Sequence, residues 1–207
     1  YNPNPEDHEM LHAMADAVKK HGCEVALGFD GDGDRCGVVD DSGEEIFADK
    51  IGVLLARDLS ARFPSAQFVV DVKSTGIYAV DPVLKANGAK TDYFKTGHSY
   101  IKRRTTELNA LAGFEKSGHF FFREPLGRGY DDGLVAAAAI LEMLDRAGGK
   151  KLSQMKKELP VTFTSLTMSP HCDDEVKYKI VDDVVAEYEA MAKAGESILG
   201  RKIRDVN

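Results

Sequence analysis

The sequence predicts an α/β fold, a mixed and mostly parallel sheet with helices on both faces, plus partial flanking pieces. Three observations carry that prediction. From about residue 48, short apolar runs alternate with stretches of helical period, the order that builds parallel sheets covered by helices. Stop signals close the helical stretches at Gly22, at Asn87-Gly88 and at Gly148-Gly149. The composition, 43% hydrophobic and 29% charged over 207 residues, is that of an ordinary globular chain, and a chain of this length buries roughly 70% of its unfolded surface.

Residues 6–21 put Met10, Met14 and Val18 on one stripe, a helical spacing that Gly22 ends. The run 24–29 (EVALGF) reads as a buried strand running into a Gly/Asp-rich turn. CGVVDDSGEEIF reads as a hairpin, with Val38 and Val39 on one arm, Ile46 and Phe47 on the other and Asp-Ser-Gly between them. A helix at about 49–62, a strand at 67–72, a helix at 76–86, a strand at 89–95 and a helix at 98–107 follow. Two short strands lie around LAGFEK and HFFFRE, and an Ala-rich helix spans 132–146. The polar, basic stretch KKLSQMKKELP then marks a change of composition near Pro160. Beyond it VTFTSLTMS alternates like a strand, and a helix (174–194) and a short strand (201–206) complete the chain. These shifts divide it into 1–47, 48–160 and 161–207.

Charge and cysteine usage remove several classes. With 27 Lys+Arg against 34 Asp+Glu, a formal charge of −7 argues against nucleic acid held by general attraction. An anionic substrate then needs a locally basic pocket. Cys23, Cys36 and Cys172 are widely spaced with no CxxC pair, which fits a reduced, cytoplasmic protein without a zinc site. The longest apolar run, 134–141, falls short of the about 20 residues of a membrane helix, and no signal-peptide pattern opens the chain. It begins YNPNPED and stops at RDVN just after a strand-like stretch, so a piece of a longer polypeptide is expected.

The chemistry concentrates in loops. Phe29-Asp30-Gly31-Asp32-Gly33-Asp34-Arg35 sets three carboxylates at alternate positions, and the two glycines let the backbone curl them onto one cation. Oxygen-only ligands favour a hard ion such as Mg²⁺, at the end of a strand where open α/β sheets bind ligands. An EF-hand would need Gly and Glu where Arg35 and Asp41 stand. A phosphatase of the haloacid-dehalogenase type also places a nucleophilic Asp two before a second Asp, and that alternative stays open. Lys73-Ser74-Thr75-Gly76 and Lys95-Thr96-Gly97-His98 each join a strand end to a helix start, an anion-binding arrangement. Lys102, Arg103 and Arg104 read as a solvated helix face. Glu115-Lys116-Ser117-Gly118-His119 offers one acceptor and one donor to adjacent sugar hydroxyls. All four clusters fall at the ends of consecutive strands, and in a mostly parallel sheet those ends share one edge.

With FDGDGDR, DVKST (71–75), KTGHSYIK (95–102), EKSGH and YDDG (130–133) in this order, the chain resembles the α-D-phosphohexomutases, and among them the bacterial phosphomannomutase/phosphoglucomutase group. The resemblance implies that Asp30, Asp32 and Asp34 hold Mg²⁺ and that Arg35 lies beside the reacting phosphoryl group. Lys73, Gly97 and His98 would line the substrate cleft, Glu115 and Ser117 would hold the sugar's O3 and O4, and His119 would lie alongside. It implies phosphoryl transfer from a phosphoserine to mannose or glucose 1- or 6-phosphate through a hexose 1,6-bisphosphate. The family's phosphoserine loop resembles Thr-Ala-Ser-His-Asn-Pro, and the nearest imitation, Thr167-Met168-Ser169-Pro170-His171, reads as structural. The family's C-terminal phosphate-binding loop is likewise absent from these residues. The expectation is the end of domain 2 with the metal loop (1–47), a complete domain 3 with the phosphohexomutase middle-domain fold (48–160) and the start of domain 4 (161–207). Such a chain, whose partners are the remaining domains of its own polypeptide, would lack turnover alone. Lys116 stands where the group more often has an apolar residue, leaving the mannose or glucose preference open. A Mg²⁺-dependent phosphatase with Asp30 as nucleophile and a non-catalytic sugar-phosphate-binding module are the rival readings.

Overall fold

The methionine stripe forms helix α1 (His8–His21), capped by the Asp7 carboxylate, which accepts from the Glu9 N–H at 3.0 Å, and ended by Gly22 at φ 65. The computed structural model describes residues 3–5, 7–163, 170–203 and 206, grouped in two units, Tyr1–Thr162 and Phe163–Asn207.

In the first unit α1 covers one face of an antiparallel sheet, β1 (Val25–Phe29), β2 (Cys36–Asp40) and β3 (Glu45–Ile46). Strand alternation decides the packing: Val39 meets Leu11, Ala15 and Val18 of α1, while its neighbour Val38 joins the main core on the opposite face. The expected β2–β3 hairpin is present. The expectation that the acidic loop leaves a buried strand of the parallel sheet is corrected. The loop joins β1 to β2, which pair antiparallel with Phe29 opposite Cys36, and β1 is only half-buried.

The second sheet follows α2 (Ala48–Arg62) and is built from β4 (Gln67–Asp71), β5 (Lys90–Phe94), β6 (Ala112–Phe114) and β7 (Phe120–Phe122) in the order β5-β4-β6-β7. Strand β4 runs parallel to β5 and β6, and β7 closes antiparallel on β6. Phe68, Val70, Phe114, Phe120 and Phe122 point to one side, into a core shared with α2 and with α6 (Gly133–Arg146). Val69 and Phe121 point to the other side, where Ile101 of α5 (His98–Glu107) covers them. The sheet is therefore mixed and mostly parallel, with helices on both faces. Helices α2 and α6 also pack against β2, so one helical layer serves both sheets.

One local reading is corrected. The helix expected over 76–86 is two, α3 (Ile77–Val80) and α4 (Pro82–Ala86). Pro82 has no N–H to continue the helix and drives Asp81 to ψ 125. The buried Asp81 carboxylate then caps α4 through the N–H groups of Val83 and Leu84 and accepts from Arg57 at 3.0 and 2.6 Å. The stretch KKLSQMKKELP carries helix α7 (Leu152–Lys157), with Leu152 and Leu159 in the core and Ser153 donating to the Asp41 carboxylate.

In the second unit, helix α8 (Lys177–Lys193) precedes a hairpin of β8 (Ser197–Ile198) and β9 (Arg201–Lys202). The strand expected across 161–169 falls mainly on 164–169, outside the described residues, as do Thr167, Met168 and Ser169; 161–163 is not strand. Arg204 and Asp205 of the expected 201–206 strand are also outside them.

Helix α6 begins against the acidic loop. The Asp132 carboxylate accepts from the N–H groups of Leu134 and Val135 at 2.9 and 3.1 Å, and the Gly133 N–H donates to the Gly33 carbonyl at 3.0 Å. A Cβ on Gly133 would stand 2.6 Å from that same oxygen, so the approach requires glycine. Asp132→Ala should lower the unfolding free energy by about 1 kcal/mol, read as a drop in urea midpoint at unchanged slope.

Candidate active site

The acidic loop owes its shape to Gly33 at φ 77, a left-handed conformation that a side chain would strain. Ligand oxygens of Asp30, Asp32 and Asp34 lie within 4.8 Å of one another. The backbone N–H of Arg35 donates to Asp30 Oδ1 at 3.1 Å and its Nε to Oδ2 at 2.6 Å, while Nη1 reaches Asn4 Oδ1 at 3.0 Å. Burial pushes the Asp30 carboxyl up, but the Arg35 donors outweigh it and hold the group below its ordinary value. Asp34 goes the other way. Burial and the charges of Asp30, Asp32 and Asp131 raise it, against the opposing pull of His119. Crowded carboxylates with oxygen donors only are the arrangement a hard divalent cation relieves.

The β6–β7 turn carries EKSGH. The Glu115 N–H donates to the His119 carbonyl at 3.0 Å and the Gly118 N–H to the Glu115 carbonyl at 3.1 Å. Glu115 is 1% exposed, and its Oε1 accepts from the Gly97 N–H at 2.8 Å. Burial pushes its carboxyl up to about 7, with the Gly97 N–H opposing and the Asp71 charge adding to the rise. Ser117 stands half-buried on the turn, and Lys73 and His98 are exposed. Lys95 lies over the Tyr100 ring at 3.9 Å.

Asp71, at the end of β4, ties these loops together. Its buried carboxylate accepts from the Ser74 hydroxyl, from Thr96 Oγ1 at 3.2 Å and from the Lys116 N–H at 3.2 Å. The three motifs that follow β4, β5 and β6 are thus knotted on one carboxylate.

The acidic loop reaches that edge from the other sheet. Arg35 and His119 form an isolated antiparallel bridge, and His119 Nδ1 lies 3.6 Å from Asp34 Oδ2. Asp131, bridged to Phe121 through the main chain, sits 3.0 Å from His119 Nδ1, 3.4 Å from His98 Nδ1 and 3.7 Å from Lys102 Nζ. The two imidazoles stack with centroids 5.6 Å apart. Asp30, Asp32, Asp34, Arg35, His98 and His119 therefore meet, and Gly97 and Glu115 adjoin them through their hydrogen bond. Lys73 and Ser117 stand on the same edge. The expected single sheet edge is in fact two sheets joined by the Arg35–His119 bridge and by the Gly133–Gly33 contact. Asp71 and Asp131 had no role in the sequence reading, although both lie in the motifs DVKST and YDDG. Lys102, read as solvated, faces Asp131.

A family model described as phosphoglucomutase/phosphomannomutase, alpha/beta/alpha domain III, matches residues 47–163, and the domain II model of the same family matches 1–43. The chain is 35% identical over 186 residues to a phosphomannomutase/phosphoglucomutase of Pseudomonas putida, across 88% of this chain and 38% of that protein. It is also 35% identical over 190 residues to a phosphoglucomutase of Neisseria meningitidis serogroup A, across 91% of this chain and 40% of that protein. Among solved structures, a phosphoglucomutase/phosphomannomutase family protein of Burkholderia thailandensis matches with a TM-score of 0.72 at 32% identity, over 91% of this chain and 38% of that one. The chain thus spans about two-fifths of the length of these relatives. With the domain III model covering more than half of its residues and the α/β/α sheet to match, the chain belongs to the phosphoglucomutase/phosphomannomutase family.

Proposed function

We propose that this chain is the cation- and sugar-recognition part of a phosphohexomutase that interconverts hexose 1-phosphate and hexose 6-phosphate, of mannose or glucose. The phosphoserine would be carried elsewhere in the polypeptide, and hexose 1,6-bisphosphate would be the intermediate. In this reading 1–47 belongs to domain 2, 48–160 is domain 3 and 161–207 opens domain 4. The observation that carries it is the meeting of two loops from different sheets: the acidic loop touches the sugar loop through Asp34 and His119 at 3.6 Å.

The all-oxygen donor set of Asp30, Asp32 and Asp34 and their mutual repulsion fit Mg²⁺. When bound, Mg²⁺ supplies neutralisation of phosphoryl-oxygen charge. The rest falls to the chain's own residues. Arg35, held by Asp30 and Asn4, presents a fixed guanidinium beside the reacting phosphoryl group. Lys73 and His98 offer positive charge to a phosphate near the Gly97 turn. Glu115 commits Oε1 to Gly97, which leaves Oε2 as the acceptor for one sugar hydroxyl, with the Ser117 hydroxyl serving its neighbour. An acceptor–donor pair aimed at O3 and O4 suits a sugar that turns end for end, because those oxygens keep related places. Among the described residues no helix is long and apolar enough to cross a membrane, and the free cysteines Cys23, Cys36 and Cys172 suit a reducing, cytoplasmic setting.

Titration calorimetry of the 207-residue chain with glucose 1-phosphate in excess Mg²⁺ should detect binding. Glu115→Ala should weaken it about tenfold, the equivalent of one charged hydrogen bond. A coupled mutase assay on the same chain should stay at background. Absence of sugar-phosphate binding, or mutase turnover without further domains, would contradict the proposal. So would hydrolysis of an aryl phosphate that Asp30→Asn abolishes. With both Asp30 oxygens accepting from Arg35, that hydrolysis is not expected.

A further inference from the structure

The Asp71 carboxylate stands behind the substrate loops. It is 1% exposed at the end of β4, a strand paired on both sides, and both of its oxygens are committed. Oδ1 accepts from the Ser74 hydroxyl and from the Lys116 N–H at 3.2 Å, and Oδ2 accepts from Thr96 Oγ1 at 3.2 Å. Each donor is next in sequence to a residue assigned to the substrate. Ser74 follows Lys73, Thr96 precedes Gly97, and Lys116 lies between Glu115 and Ser117. The loops differ in their other ties. The 73–76 loop has two more: the Thr75 N–H donates to Asp49 Oδ2 at 3.0 Å, and the Thr75 carbonyl accepts from the Tyr93 hydroxyl at 2.7 Å. The loops of Thr96 and Lys116 hold each other through the Gly97 N–H, which donates to Glu115 Oε1 at 2.8 Å. Asp71 therefore joins a loop anchored on α2 and β5 to a pair of loops that brace one another.

We propose that Asp71 is a positioning residue that reaches no substrate itself and sets the spacing between Lys73 on one side and Gly97, Glu115 and Ser117 on the other. A carboxylate offers acceptors only, so it can gather donors from several loops at once. The use of that spacing rests on the function proposed above: a hexose phosphate presents its phosphate and its ring hydroxyls at a fixed separation, and the groups that meet them gain most when they are already in place. Loops that the ligand itself must order cost affinity. The role belongs to the hydrogen bonds and not to the charge. In Asp71→Asn the amide oxygen can take the Ser74 and Lys116 donors, and the amide nitrogen can donate to Thr96 Oγ1, because a hydroxyl also accepts. In Asp71→Ala all three links are lost.

The test joins calorimetric titration of the 207-residue chain with glucose 1-phosphate in excess Mg²⁺ to amide hydrogen exchange followed by ¹⁵N–¹H spectroscopy. Asp71→Ala should weaken binding about tenfold, the cost of ordering two loops. The amides of Lys116 and Gly97 should exchange about tenfold faster, although only the first donates to Asp71, while Thr75, held by Asp49, stays within about twofold of the parent. Asp71→Asn should restore both readouts to within about twofold of the parent, a rescue that loss of charge alone would not allow. Thr96→Val, which cuts one link, should weaken binding about threefold in the parent and leave it unchanged in Asp71→Ala. Where Asp71→Ala does not fold, the asparagine variant and Thr96→Val decide. Parent-like binding in Asp71→Ala or in Thr96→Val, an asparagine variant that binds no better than the alanine one, or exchange that quickens equally at Thr75 would each overturn the inference. If the exchange pattern and its rescue appear while the parent binds no glucose 1-phosphate, the functional proposal fails and the positioning of the loops stands.

Discussion

Phe114→Ala is expected to be the most damaging single substitution in the described chain, lowering the unfolding free energy by about 3–5 kcal/mol. Phe114 is fully buried on β6, the strand between β4 and β7. Its ring centroid lies 5.9 Å from Phe68, 6.2 Å from Tyr78, 5.4 Å from Phe120 and 6.0 Å from Phe122, the last two edge-on. Edge-on pairs add to burial through the ring quadrupole. Truncation would empty a space that these rings, anchored on different strands and on α3, cannot fill without moving the sheet. Equilibrium urea unfolding measures the loss directly, with Leu134→Ala as control: Leu134 is 69% exposed, and its truncation should stay within about 0.5 kcal/mol of the parent. A Phe114→Ala loss no larger than the control's would mean that this ring cluster does not organise the core.

Glu115→Gln should stabilise the fold at alkaline pH while weakening sugar-phosphate binding. Burial raises the Glu115 carboxyl to about 7 from an ordinary 4.5. Between those values the folded chain keeps a proton that the unfolded chain releases. The associated stability is therefore fully present below about 4.5 and is lost as pH rises through about 7. Above pH 7 the fold carries a buried anion near the charges of Asp71 and Asp131, with the Gly97 N–H donating to it. A shift of this size corresponds to about 3 kcal/mol. Glutamine keeps an acceptor for the Gly97 N–H and removes the charge. The stability difference between variant and parent should be near zero at pH 4.5 and grow to about 2–3 kcal/mol by pH 8. A gap that does not change with pH would show that Glu115 titrates as an ordinary carboxyl. The stability held back by the parent is the usual cost of keeping a buried charge ready for a ligand.

The chemistry of the acidic loop was legible in the sequence because it is local. Asp30, Asp32 and Asp34 converge through the curl of five residues, and Gly33 has the backbone freedom that the curl needs. The EKSGH turn and the Gly22 stop of α1 are equally local, as is the period that separates the helices from the strands. The break at Pro82 was also written locally and was overlooked: the apolar spacing on either side continues through it, and only the missing N–H betrays it.

What the sequence determined by itself was the order of elements and the chemical kind of each loop, since these depend on neighbours a few residues apart. Tertiary structure alone decided the rest. That β1 pairs with β2 and leaves the parallel sheet, that Arg35 bridges to His119, and that Asp131 stands between His98 and His119 are choices among distant partners. No local period encodes such a choice. It follows from which apolar faces can be buried together, here the two sheets closing on the shared layer of α2 and α6, and the polar residues at the rim are carried into contact by that closure.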